Sequence, residues 1–260
     1  MRNDAWWRYI EVQKGVYNFS LMDSWVATVH QTTGDGCASG QIEPMTMHFI
    51  LEGGNRLYQG DDATPPTTQE AVAAFVRFTV ATMSRYAGLG ILWEVQNEAD
   101  IRAWNVSQYA ALVIAAGKAV RATPSIASEI IVGPSLSTVN CEWVQSCKDL
   151  GALRYVDAVS VHAYCSGAPE QMRWRFDALR KIVGNSTAIL SGEWGWGTCT
   201  KAGSNTPINC LGGTEPDIVS ENDQAMFVAR QWLMNALERV PISIYCKHAF
   251  HSTFIVSGML

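Results

Sequence analysis

Two glutamates, Glu98 and Glu193, occupy the same kind of local setting, and that setting suits them to proton transfer and nucleophilic attack. The run Ile91-Leu92-Trp93-Glu94-Val95-Gln96-Asn97-Glu98 is apolar and β-forming until it stops at an amide and a carboxylate. Ala188-Ile189-Leu190-Ser191-Gly192-Glu193 repeats the pattern and is followed by Trp194-Gly195-Trp196. A buried parallel strand that ends in a charged group delivers chemistry to the rim of an α/β fold. Two such carboxyls facing one pocket fit glycoside hydrolysis, where an acid protonates the leaving oxygen and a carboxylate attacks the anomeric carbon. For a reaction with retention the two stand roughly 5–5.5 Å apart. An Asn-Glu dipeptide alone carries little weight; its place at a strand end, matched on a later strand, carries the inference.

Val159-Ser160-Val161-His162-Ala163-Tyr164 ends the strand before Glu193, and alternation along a strand puts His162 and Tyr164 on one side. A tyrosine hydroxyl can orient a carboxylate nucleophile by hydrogen bonding to its charged form. In isolation the pair reads better as a core histidine and a rim tyrosine; beside Glu193 the functional reading is preferred. Glu94 shares the face parity of Glu98 and is expected to be a buried structural carboxylate. Asp100 and Glu52 are expected to be solvated rim groups.

These residues need a scaffold in which strands alternate with helices. Strand patterns fall at Pro44–Leu51, Gly90–Gln96, Glu129–Gly133, Val156–Val161, Thr187–Gly192 and Pro241–Cys246. Helical patterns fall at Leu21–Gln31, Thr68–Tyr86, Val106–Ala122, Cys141–Leu150, Pro169–Val183 and Ser220–Val240, the last with Ser220 as N-cap and acids in its first turn. Such alternation implies βαβ units and a parallel sheet. A dinucleotide fold would want GxGxxG after an early strand, and the chain has none. Carboxylates ending several strands fit a (β/α)8 TIM barrel better, although six strand patterns are visible rather than eight and the chain opens in what reads as a strand-end loop.

Bulk properties narrow the function. The 260 residues have 48% hydrophobic content, enough for one substantial core, so residues 1–260 are expected to form a single, partial catalytic domain. A net charge of -5 argues against nucleic acid. No apolar run approaches the ~20 residues of a membrane span, and the first residues form no signal peptide. With five histidines and no HxH, a metal-dependent hydrolase is disfavoured, and no metal or organic cofactor is expected. Seven cysteines cannot all pair, but Cys141 with Cys147 and Cys199 with Cys210 are close enough to close small loops in a secreted protein. Sequons at Asn18, Asn105 and Asn185 lean the same way, so the full-length parent is expected outside the cell.

Taken together, these motifs resemble the clan A glycoside hydrolases, retaining (β/α)8-barrel enzymes, and are nearest to families 39 and 5. The likeness is carried by Arg2-Asn3-Asp4-Ala5-Trp6-Trp7, Gly15–Phe19, Gly53–Tyr58, Trp93–Glu98, Asp157–Tyr164, Ser191–Trp196, Gln224-Ala225 and Arg230–Leu233. It implies Glu98 as general acid/base, Glu193 as nucleophile, and Asn97 on the sugar 2-hydroxyl. It further implies His162 and Tyr164 around the scissile bond, Arg2 beside the nucleophile, and Trp194 and Trp196 as sugar platforms, either of which could equally be core.

The likeness lacks a first strand and helix before Arg2 and a closing helix after Tyr245, so an incomplete barrel with exposed edges is expected, prone to self-association. The leading expectation is a retaining O-glycosidase acting on β-linked oligo- or polysaccharide. The alternative is a catalytically inactive barrel fragment that at most binds carbohydrate.

Overall fold

The structure, a computed structural model, describes residues 1–38, 46–102, 104–198 and 218–246. Its centre is a seven-stranded sheet: β1 (Arg2–Trp6), β2 (His48–Glu52), β3 (Leu92–Val95), β4 (Ile130–Leu136), β5 (Ala158–His162), β6 (Ala188–Trp194) and β7 (Ser243–Tyr245). The strands lie in chain order and every pairing is parallel. Helices α1 (Ser20–Ala38), α2 (Gln69–Arg85), α3 (Val106–Ala122), α4 (Cys141–Asp149), α5 (Arg173–Val183) and α6 (Glu221–Leu237) connect them. This is a partial (β/α)8 barrel. Among the described residues β1 pairs only with β2, and β7 only with β6, so the sheet is open between its first and last strands.

The expected helices form where capping chemistry begins them. Thr68, Asn140 and Ser220 accept backbone N–H groups at the starts of α2, α4 and α6, and Asn105 with Gln108 makes a capping box at α3. Pro169–Met172 forms a separate 3-10 turn before α5 rather than its first turn. Cys141 and Cys147 are not bridged. Six residues along one helix separate them by about 9 Å of rise, beyond a disulfide's reach. Cys199, Cys210, His248, His251 and the loop 199–216 lie outside the described residues.

The strand absent from the sequence reading is β1. Its residues Arg2, Asp4 and Trp6 face the barrel interior, and two of the three are charged, so the strand shows no apolar stripe. Only pairing with β2, in the register Arg2↔His48 to Trp6↔Glu52, defines it.

Hydrocarbon is divided unequally between the two sides of the sheet. Between sheet and helices lie two large clusters, one built on Trp7, Phe49, Phe75, Phe78 and Trp93, the other on Val159, Val161, Phe176, Leu179 and Trp194. Inside the barrel Leu92, Val132, Ala158 and Leu190 form a small apolar floor. Above that floor the inward positions turn polar, and there the strands present their chemistry.

Candidate active site

Five strands bring side chains to one mouth. β1 supplies Arg2 and Asp4, and β2 supplies His48 and Glu52. β3 supplies Glu94 and leads into Asn97 and Glu98; β5 and its loop supply His162 and Tyr164, and β6 supplies Glu193. One carboxylate oxygen of Glu98, one of Glu193 and one ring nitrogen of His162 all lie within 4.8 Å of one another. The two glutamate side chains are each 20% exposed, so both reach solvent from the mouth.

Local backbone irregularities aim both carboxylates. After β3 the chain passes through positive φ at Gln96 (60°) and Glu98 (48°), a region that side chains other than glycine seldom occupy. Such residues persist where the surroundings over-determine them. Here the Gln96 side chain accepts from Gly53 N at 3.1 Å, and the Ala99 amide donates to Ser135 O at 3.1 Å. On β6 the register slips: Val161 pairs with Ser191, yet His162 pairs with Glu193. The bulge turns Glu193 onto the face that regular alternation would have given to Gly192. Gly192 itself is needed there, because a Cβ on it would stand 2.2 Å from Ser160 Oγ.

Arg2 is the hub of the hydrogen bonding. Its guanidinium donates to Glu193 and to Glu94, to Asn97 Oδ1 at 2.7 Å, and faces His162 Nε2 at 3.5 Å. Glu94 is fully buried and also has His48 Nε2 2.9 Å from its second oxygen. Burial alone would raise the Glu94 pKa, but Arg2 and His48 outweigh it and hold the carboxyl well below its ordinary range. Because arginine only donates, His162 Nε2 is its acceptor; the ring proton then sits on Nδ1, 3.0 Å from Glu98 Oε1. That hydrogen bond lowers the Glu98 pKa, against the opposing effect of partial burial. Tyr164 Oη donates to Glu193 Oε2 at 3.1 Å, and burial, with Cys246 and Glu193 nearby, raises the phenol's pKa so that it stays a donor.

Glu98, His162 and Glu193 could together meet a cation. Arg2 already places positive charge against Glu193, however, and His162 spends Nδ1 on Glu98, so the donor set suits proton handling.

Arg2, Asn97, Glu98, His162, Tyr164 and Glu193 are thus brought together. Trp194 and Trp196 are not, and their expected role as platforms is corrected: they are 0% and 1% exposed. Trp194 packs edge-on to Trp196 and Trp232 and donates to Ser243 Oγ at 2.7 Å. The bulge that turns Glu193 inward sends its neighbour to the helix side, where no ring face is free.

Glu52 departs from expectation, whereas Asp100 is a half-buried group on the rim loop after β3. Asp100 accepts from Ser137 N at 2.8 Å, which ties the loop after β3 to that after β4. Glu52 is only 4% exposed, and burial, then Asp4, pushes its carboxyl up to about 8 from an ordinary 4.5. The unfolded chain loses this proton near the ordinary value while the native state keeps it. Stability from this group is therefore full below about 4.5 and is lost as pH rises toward about 8. Glu52→Gln should match the parent's stability near pH ~4 and exceed it above pH ~8, by an order of a few kcal/mol. Melting curves with the same pH dependence in both proteins would remove this assignment.

No family model matches the chain, and no curated protein sequence is similar to it. Solved structures do match. One described as the structure of two fungal β-1,4-galactanases aligns at TM-score 0.60 and 14% identity, over 94% of this chain and 76% of that one. A family 5 broad specificity endoglucanase from Clostridium cellulovorans aligns at 0.59 and 14%, over 97% and 74%. A family 10 xylanase from Bispora sp. MEY-1, solved with xylobiose, aligns at 0.58 and 14%, over 95% and 75%. The chain spans 43% of a family 39 β-xylosidase from Caulobacter crescentus, at a TM-score of 0.49. At these identities the likeness is one of fold: the partial (β/α)8 barrel is of the kind found in glycoside hydrolases of β-linked glycans.

Proposed function

We propose that the protein is a retaining O-glycoside hydrolase acting on β-linked glycans, with Glu193 as nucleophile and Glu98 as general acid/base. The observation that carries this reading is that one oxygen of Glu98 and one of Glu193 lie within 4.8 Å of each other, from strands that are distant in sequence. Such closeness suits direct attack on the anomeric carbon; inversion wants roughly 6.5–9.5 Å to admit a water. Glu193 attacks while Glu98 protonates the leaving oxygen. Glu98 then withdraws a proton from the water that releases the sugar. Arg2 and Tyr164 each donate to a different oxygen of Glu193 and so fix its orientation. Asn97 spends its carbonyl on Arg2, which leaves its amide hydrogens for the sugar 2-hydroxyl.

Incubation with chromogenic β-xyloside, β-glucoside and β-mannoside and with β-linked oligosaccharides tests the activity. NMR of the first product tests the stereochemistry: β-anomer appearing first is expected, and α-anomer first would rule out double displacement. The open sheet favours one competing reading, a barrel that binds glycan without cleaving it, which binding without turnover would support. Self-association and an extracellular location belong to the same proposal. Met226, Leu233 and Leu237 expose an apolar stripe on α6, and among the described residues no helix is long and apolar enough to cross a membrane.

The first half-reaction needs Glu98 protonated, whereas the His162 hydrogen bond favours the ionised form. Turnover should therefore decline as pH rises through the lowered Glu98 value. Removing the bond in His162→Ala should move this alkaline limb to higher pH. A kcat/KM profile whose limb stays in place would show that His162 does not tune Glu98.

A further inference from the structure

Glu52 is a buried carboxyl that the catalytic scheme does not use. Its side chain is 5% exposed, it makes no hydrogen bond among the described residues, and the nearest cation, Arg102 Nη2, is 3.8 Å away. With this single long ion pair and no hydrogen bond, the carboxyl keeps hydrogen-bonding capacity that a ligand can meet. Position points the same way. Glu52 shares the inward face of β2 with His48, one diagonal step from Asp4 on β1. Asp4 is electrostatically coupled to Arg2 and Glu193, which puts the pair beside the catalytic centre. Both carboxyls have raised pKa values, mainly through burial, so each can offer a proton as well as accept one. Trp6, in register with Glu52, lies so close to Gly53 that a Cβ there would stand 3.1 Å from its ring. Asp4 and Trp6 also form one wall of a cavity of ≈ 670 Å³ that runs past β1 toward Trp25.

We propose that Glu52, with Asp4 and Trp6, forms a hydroxyl-reading subsite for the sugar unit next to the one attacked. The subsite takes neutral sugars, whose hydroxyls pair with both carboxyls in either direction. This inference rests on the glycosidase reading for its geometry, and one arm of its test, a binding titration, does not need turnover.

The readout is the ratio of kcat/KM for a p-nitrophenyl β-1,4-diglycoside to that for the corresponding p-nitrophenyl β-monoglycoside. Glu52→Ala should lower the ratio at least about tenfold, and Glu52→Gln, which still donates and accepts, should restore it to within about threefold. Equal loss on both substrates would mean a merely structural role and would overturn the proposal, as would an unchanged ratio. If no substrate is turned over, the hydrolase reading fails on its own. Titration of the parent and Glu52→Ala with xylotriose and cellotriose, followed by tryptophan fluorescence, then decides. At least tenfold weaker binding in the variant supports the subsite; equal affinity, or no binding by the parent, overturns it.

Discussion

Glu193→Ala is expected to lower turnover of every β-glycoside by about 10⁴-fold or more, the scale of loss when a covalent nucleophile is removed. The side chain is at the mouth, 20% exposed, and its two oxygens are held separately by Arg2 and Tyr164. Loss of the carboxylate leaves a small space on the face from which it attacked. Azide supplied in excess should fill it and form an α-glycosyl azide, because one displacement inverts where two retain. Glu98→Ala should behave differently. Aryl glycosides with good leaving groups need little acid assistance, so the first step should survive while release of the sugar slows. A Glu193→Ala protein with full activity would end the assignment, and an azide product of β configuration would move the nucleophile elsewhere.

Arg2→Met is expected to destabilise the fold by about 3–5 kcal/mol, the usual consequence of removing one partner from a buried charged group. Glu94 is completely buried and would be left with His48 alone. Burial and the two glutamates act oppositely on Arg2, and the glutamates prevail, raising its pKa; the guanidinium is therefore always charged. For a chain of this length the loss corresponds to a fall in Tm of roughly 10 °C. Arg2→Lys should recover little, since one ammonium cannot serve Glu94, Glu193 and Asn97 together as a planar fork does. Activity should fall in both variants because Glu193 and Asn97 lose a shared donor. A Met variant that melts with the parent would show that the network does not hold the barrel mouth.

The two predictions concern residues of very unequal legibility. Glu193 and Glu98 stand at the ends of apolar runs, so burial on both faces of a parallel strand marks them in the sequence. Arg2 sits in a strand without any apolar periodicity and came to notice only through its likeness to a family motif. Glu52 was misjudged because a carboxylate after an apolar strand looks solvated, while its environment comes from β1, a strand that the sequence pattern does not show. Trp194 and Trp196 were misjudged because a tryptophan beside a catalytic glutamate carries no sign of which way it faces.

By itself the sequence determined the alternation of strands and helices, the parallel sheet, the caps that start the helices and the two carboxylates delivered to strand ends. These follow from local periodicity, hydrogen-bonding side chains and solvent exclusion, all of which act over a few residues. Only the tertiary structure decided that Glu193 faces His162 and not the helices, that Arg2 ties four strands together, and that Glu52 is buried with its pKa pushed up. A one-residue bulge inverts every side chain beyond it, and the charge state of a carboxyl depends on neighbours from other strands.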